Sequence, residues 1–429
     1  MKRAAVAIVA GAVVAGALIA TLRDAGAQRI DPRRPAVLVV GAPSGAAPMQ
    51  RIDSRRSGLS RTPLPSGTLR VAWRKTTGLT IDQPALSGPD GTLAVVSARG
   101  DVSFIDAEGE ERATVKVGAA QVGPAAMTSD GTVVFMSSGG DVIGVRRSSA
   151  LLRFSTRIGG ERNLRAAPLA LDDGGVVVAT LTDLVVLDSE GNVRARVSLP
   201  EMPGAPLVAA GDKVLAVTTS GTVYGWTPGR EPVRLGSFGA PIDGGAALTD
   251  AGTLLAVIEG NHLAEVDITR GGRSTRSIAS QGLYLGPPAV RSATPGAPLA
   301  TLLAQTHTRG FVVTLDPGGQ EVSRAPIASF NAATLPDGGA PPLVAPPHVG
   351  PIVDARGAVA FAATDGHVGV VGSDGAVDTI GEILCTKGAR SGVVGLTPFG
   401  ASAFAVTCDG GVIVRVTGTA EPARREAQP

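Results

Sequence analysis

The chain has 429 residues, a net charge of +2 and a hydrophobic share of 44%, so composition excludes a disordered chain and allows a buried core. Two tryptophans, two tyrosines and nine phenylalanines leave few platforms for stacking sugars, bases or a flat cofactor. Two cysteines cannot by themselves hold an iron-sulfur cluster or a four-thiolate zinc site.

The first predicted element is an apolar helix. Lys2 and Arg3 precede an apolar run from Ala4 to Leu22, long enough to cross most of a bilayer core. Ala25-Gly26-Ala27 supplies the small side chains that a signal peptidase needs. Residues 1–27 therefore read as a signal peptide cut after Ala27 or, if uncut, as a membrane anchor through residues 4–22. Either outcome places the body outside the cytoplasm, although Arg23, Arg29, Arg33 and Arg34 follow the run and oppose the usual charge rule. No cysteine lies near its end, so a lipid-modified N-terminus is not expected.

Next comes a basic arm. Gln28 to Lys75 holds ten arginine and lysine residues against two aspartates, a net +8. It reads as a solvated linker, with attachment to anionic lipid as the alternative. Residues 28–47 are its Pro/Gly/Ala-rich linker portion. The arm repeats itself, since Gln28-Arg29-Ile30-Asp31-Pro32-Arg33-Arg34 returns as Gln50-Arg51-Ile52-Asp53-Ser54-Arg55-Arg56.

From Pro84 onward one module recurs. Pro84-Ala85-Leu86 leads to Asp90-Gly91-Thr92, the run Leu93–Val96, and Gly100-Asp101-Val102. Further copies start near Pro124, Pro168, Pro206, Gly245, Pro288, Pro351 and Gly395. The intervals are 38 to 44 residues with one of 63, in the range of propeller blades. The long interval contains six prolines between Ala325 and Pro351, so residues 325–350 read as a loop between blades six and seven. Near-continuous apolar runs predict strands covered on both faces, and Gly and Asp supply the hairpin turns. Such a module cannot shield its own faces and needs neighbours on both sides. The fold class is all-β: an eight-bladed propeller of four-stranded antiparallel blades over residues 48–419, followed by a disordered tail at 420–429.

This pattern, with the lead-in Pro48-Met49, Asp53, Arg56, Gly58, Ser60 and Leu69–Gly78, resembles the pyrroloquinoline-quinone-like β-propeller repeat family. The resemblance implies that the strand around Trp73 completes the last blade beside Val412–Val416. The family includes quinone-dependent dehydrogenases and non-enzymatic scaffolds such as the propeller lipoprotein of outer-membrane assembly. The enzymes are expected to carry adjacent cysteines, a calcium-binding carboxylate set, a tryptophan beneath the quinone and repeated blade-end tryptophans. Here Trp73 stands eleven residues before Pro84, but the matching places before Pro124, Pro168 and Pro206 hold Ala113, Arg157 and Ala195. Trp226 reads as a core residue rather than a cofactor platform.

Cys385 and Cys408 fall on the same rim of blade eight, so a disulfide is expected, with two separate buried thiols as the alternative. His262, His307 and His367 occupy corresponding turns of blades five, six and seven. They read as surface turn residues, because ligands must approach one ion within about 2 to 2.6 Å. Asp101, Asp141, Asp183, Asp365 and Asp409 sit in the same class of turn. They bond their own backbone or together give one face a negative potential. No catalytic, cofactor-binding or metal residue is assigned. The expected role is an exported, non-catalytic scaffold in the cell envelope, periplasmic or extracellular, binding envelope protein through its loop-bearing face. A monomer without nucleic acid is expected. The alternatives are a divergent quinone-dependent dehydrogenase and a ligand-sensing propeller.

Overall fold

The computed structural model describes residues 47–419, except 160–165, 271–273, 280–281, 291–299, 307–308, 330–348, 364–366, 381–383 and 386–391. The apolar run, most of the linker, the first Gln-Arg-Ile-Asp copy, His307, Asp365 and the tail lie outside the described residues. Among the described residues no helix is long and apolar enough to cross a membrane.

Eight antiparallel sheets follow one another along the chain. Blade one comprises Leu86–Ser87, Leu93–Val96, Val102–Ile105 and Glu111–Val115. Blades two to seven repeat that order, beginning at Gln121, Leu169, Val208, Ile242, Leu283 and Ile352. Blade eight takes three strands from the C-terminal end, Val393–Pro398, Ala403–Cys408 and Val412–Gly418. Its fourth strand, Leu69–Thr76, comes from the other end of the chain. Trp73 pairs with Arg415 in that last ladder, which closes the ring as the resemblance implied.

Burial explains the apolar runs. Second strands such as Leu93–Val96 and Val176–Ala179 are buried along their whole length, because each sheet is covered on both faces. Outer strands such as Glu111–Val115 alternate between half-buried and exposed. Among the described residues the core consists of eight hydrophobic clusters, each shared by neighbouring blades. Val96, Phe104, Val133 and Phe135 join blades one and two, and Leu93, Val95, Phe399 and Ala405 join blades one and eight. Every blade thus buries its faces against neighbours rather than within itself.

The ring is locked where its ends meet. Trp73 lies over Gly109 of the next blade, and its Nε1 donates to the Ala107 carbonyl at 2.8 Å. Gly109 has φ +89°, and a Cβ there would stand 2.9 Å from Trp73 Cδ2. Arg415 Nη1 donates to the same carbonyl at 2.7 Å. Blade two makes a similar contact with another residue: Phe154 lies over Gly191 of blade three. Arg157, reached by counting eleven back from Pro168, instead sits three residues farther along that strand. The connection between blades two and three is longer, which displaces the count.

Two further expectations are corrected. Residues 325–329 belong to the strand Glu321–Ser329, with Pro326 opposite Phe311. That strand is the outer edge of blade six, where a missing N–H costs no ladder bond. The basic arm is not a solvated linker throughout: from Ala47 it enters the ring, and Arg56 is only 1% exposed. Cys385 and Cys408 are joined by a disulfide, with their Cα atoms 5.5 Å apart.

Candidate functional site

The innermost strands of a closed ring leave backbone groups facing its axis, and buried polar groups need partners. Residues 47–60 supply them. Ala47 pairs with Ser87 of blade one. The Pro48 carbonyl accepts Met127 N–H of blade two at 2.6 Å. The carbonyls of Ser54, Arg55, Ser57 and Gly58 accept the N–H groups of Ala209, Leu248, Val290 and Val353, in blades four to seven, at 2.7 to 3.0 Å. Leu59–Ser60 then runs parallel to Ile352–Asp354. These partners lie at or near the C-terminal ends of the inner strands. The segment is therefore a floor across the axis on the side of the turns joining first and second strands.

Two arginines fix the floor from within. Arg56 Nε donates to the Leu207 carbonyl at 2.9 Å, Nη1 to Gln50 at 2.8 Å and Nη2 to Pro168 at 2.7 Å. Arg51 Nη1 and Nη2 reach the carbonyls of Pro351 and Pro288 at 2.7 and 2.9 Å. Burial lowers both guanidinium pKa values to about 10, partly offset by the nearby Asp53 carboxylate. Asp53 in turn accepts the N–H groups of Arg55 and Ser57 and the Ser57 hydroxyl. Arg51, Ile52 and Arg56 have φ of 62°, 80° and 55°. That left-handed strain costs of order 1–3 kcal/mol per residue and persists only where surroundings over-determine it.

The opposite mouth carries the turns between second and third strands, where the sequence placed its candidates. They do not converge. Asp101 and Asp141 give their N–H groups to Ser97 Oγ and Ser137 Oγ, each at 3.1 Å. The Asp141 carboxylate is 3.6 Å from Arg157. Asp183 accepts Ser198 Oγ at 2.8 Å and lies 3.3 Å from Arg196. Asp409 Oδ1 accepts Gly392 N–H at 3.0 Å. His262 begins the third strand of blade five with Nδ1 3.7 Å from Glu259, and His367 lies in the corresponding turn of blade seven. Carboxylates bonding the turn backbone belong mainly to the floor side, as at Asp106 and Asp188.

One feature of this mouth was not read from the sequence. Glu201, in the connection entering blade four, accepts the hydroxyls of Ser220, Thr218 (2.9 Å) and Tyr224 (3.4 Å). Those hydroxyls, Ser220 foremost, hold its carboxyl below the usual range. Burial and the Glu201 charge push the Tyr224 phenol up. The available signal was the turn Ser220-Gly221-Thr222, where blades one and two have Gly-Asp. Met202, beside Glu201, is 39% exposed. On the floor side a cleft of about 430 Å³ opens between blades four and five. Leu235 lines it and packs over Gly225 as Phe154 packs over Gly144.

These residues do not fit the quinone that the resemblance to the dehydrogenases implies. Trp226 is 1% exposed inside the blade-three and blade-four cluster, and its Nε1 donates to the Arg230 carbonyl at 3.0 Å. Trp73 is committed to the ring seam. The two cysteines are 23 residues apart and bonded to each other. Among the described residues no group of three or more His, Cys, Asp or Glu side chains could hold a metal ion.

No family model matches the sequence, and no curated protein matches it. Solved structures do share its fold. BamB from Moraxella catarrhalis superposes with a TM-score of 0.58 at 16% identity, over 82% of this chain and 100% of that one. The quinohemoprotein alcohol dehydrogenase from Comamonas testosteroni gives 0.62 at 10% identity, over 88% and 81%. A computationally designed protein, Ika8, gives 0.59 at 15% identity, over 80% and 97%. The chain is thus an eight-bladed propeller of the architecture found in both BamB and the quinohemoproteins.

Proposed function

We propose that this chain is an exported, non-catalytic scaffold that binds another protein through the mouth opposite the floor. The observation carrying this reading is that residues 47–60 close the floor end of the axis, part of the concave place where a ring would otherwise receive a small ligand. What remains for recognition is an outer surface, and its best-defined polar feature is Glu201 with its hydroxyl donors beside exposed Met202. The structural likeness to BamB supports a scaffold in the cell envelope. The Cys385–Cys408 disulfide supports an oxidising compartment, as does the leader-like run Ala4–Leu22.

A photo-reactive side chain at position 202 of the full chain, expressed in its own envelope, should cross-link one discrete partner. Glu201→Lys should abolish that product, while Leu151→Asp on the outer edge of blade two should not. A product that survives Glu201→Lys but is lost with Leu151→Asp would move the site to the rim. Dye reduction by purified protein supplied with quinone and calcium would overturn the non-catalytic reading.

A further inference from the structure

The repeated heptapeptide acquires a meaning from the floor. Six of its seven positions are identical in Gln28–Arg34 and Gln50–Arg56, and in the second copy all six take part in building the site. Gln50 is buried and its main-chain carbonyl accepts Arg56 Nη1. Arg51 reaches blades six and seven, and Arg56 reaches blades three and four. Ile52 is 3% exposed in the cluster between blades seven and eight. Asp53 staples the turn, and Arg55 pairs with Asp250 of blade five.

The seventh position explains itself as well. Arg56 N–H bonds the Asp53 carbonyl at 3.0 Å, so Ser54 is the second residue of a four-residue turn, where proline is favoured. Ser54 contributes its carbonyl to Ala209, but its hydroxyl is buried without a partner. Pro32 would keep the carbonyl and remove the orphan.

We propose that the floor end of the axis is a binding site for this heptapeptide, and that Gln28–Arg34 is a second ligand for it, able to replace Gln50–Arg56. The flanks set the order of preference. Ser57 gives Asp53 an N–H and a hydroxyl, and Gly58 has φ +66° where a Cβ would run into Arg51 and meet Ala289 Cβ at 3.0 Å. The first copy has Pro35 and Ala36 there, so it is the weaker ligand and takes the site when the second copy is impaired. Residues 35–68 would then bridge the axis to Leu69, and extended they span about 110 Å. Gln28 stays on the chain whether or not cleavage follows Ala27. Exchange brings the ring 22 residues nearer the run Ala4–Leu22.

The test uses the full chain with cysteines introduced by Pro32→Cys and Ala209→Cys, because residue 54 meets Ala209 in the floor. With Arg51→Ala/Arg56→Ala the 32–209 disulfide should form at least several-fold more than in the unaltered second-copy background. Adding Arg29→Ala/Arg34→Ala should abolish it and lower Tm by several further degrees, although the same pair alone leaves Tm unchanged. Gly58→Ala provides a milder impairment and should raise the cross-link in the same direction. Absence of the cross-link in both impaired backgrounds would overturn the proposal. So would Arg51→Ala/Arg56→Ala protein that fails to fold despite an intact first copy, or Tm values indifferent to Arg29 and Arg34 in every background.

Discussion

The two mouths of the ring are built by different rules. At the floor, one fourteen-residue stretch is bonded to seven blades at once, with buried arginines and left-handed non-glycine residues held in place by all of them. At the other mouth the described turn aspartates bond within their own blade or to the connection leading into it: Asp101 and Asp141 give their N–H groups to serine hydroxyls, Asp183 accepts one, and Asp409 accepts Gly392 N–H. Changes at the floor should therefore act on the whole ring, whereas changes at the other mouth should act on one turn and leave stability nearly untouched.

The sharpest way to break that contrast is at Arg56. With Arg29→Ala/Arg34→Ala present, so that the upstream copy cannot substitute, Arg56→Ala leaves the Leu207, Gln50 and Pro168 carbonyls without their donor. Urea unfolding should show a loss of about 3 kcal/mol. An intermediate loss belongs to the seam. Trp73→Ala removes a half-buried ring and its bond to Ala107, for about 2 kcal/mol, discounted from the range for fully buried aromatics. Combined with the Arg56 change it should add nearly independently if floor and seam are separate devices.

The smallest effect is expected at Glu201. Because its folded carboxyl titrates below an unfolded value of about 4.3, its contribution is whole above that value and is lost as pH falls through the folded one. NMR should find the carboxyl titrating lower than in Ser220→Ala protein, with thermal stability at neutral pH nearly unchanged because the group is exposed. A large stability change there would erase the distinction between the two mouths.

The blades were legible because each one repeats the same physical necessity. Asp90-Gly91-Thr92 turns the chain and Leu93–Val96 must be covered on both faces, and the same holds at Asp130-Gly131-Thr132 and Thr132–Ser137. The closure by Trp73 was legible only through the family resemblance that the lead-in helps to carry. The floor was not, because residues 47–60 have no periodicity and their conformation is set by contacts up to 300 residues away, as from Arg51 to Pro351. No local preference would put Ile52 at φ 80°. Phe154 escaped a count based on fixed spacing, and Pro326 looked like a loop residue because sequence does not say which strand is an edge. Glu201 escaped because its partners come from a different turn, 17 and 19 residues downstream.

Closing the ring with its own two ends has a consequence for how the molecule is made. Thr77 bonds Gly411 across 334 residues, and the Leu69–Thr76 ladder needs Val412–Gly418 as its partner. An early-synthesised strand must wait, unpaired and edge-exposed, until nearly all of the polypeptide has been delivered. Such distant pairing folds slowly and leaves sticky intermediates. A newly made molecule would therefore depend on protection until its final blade emerges.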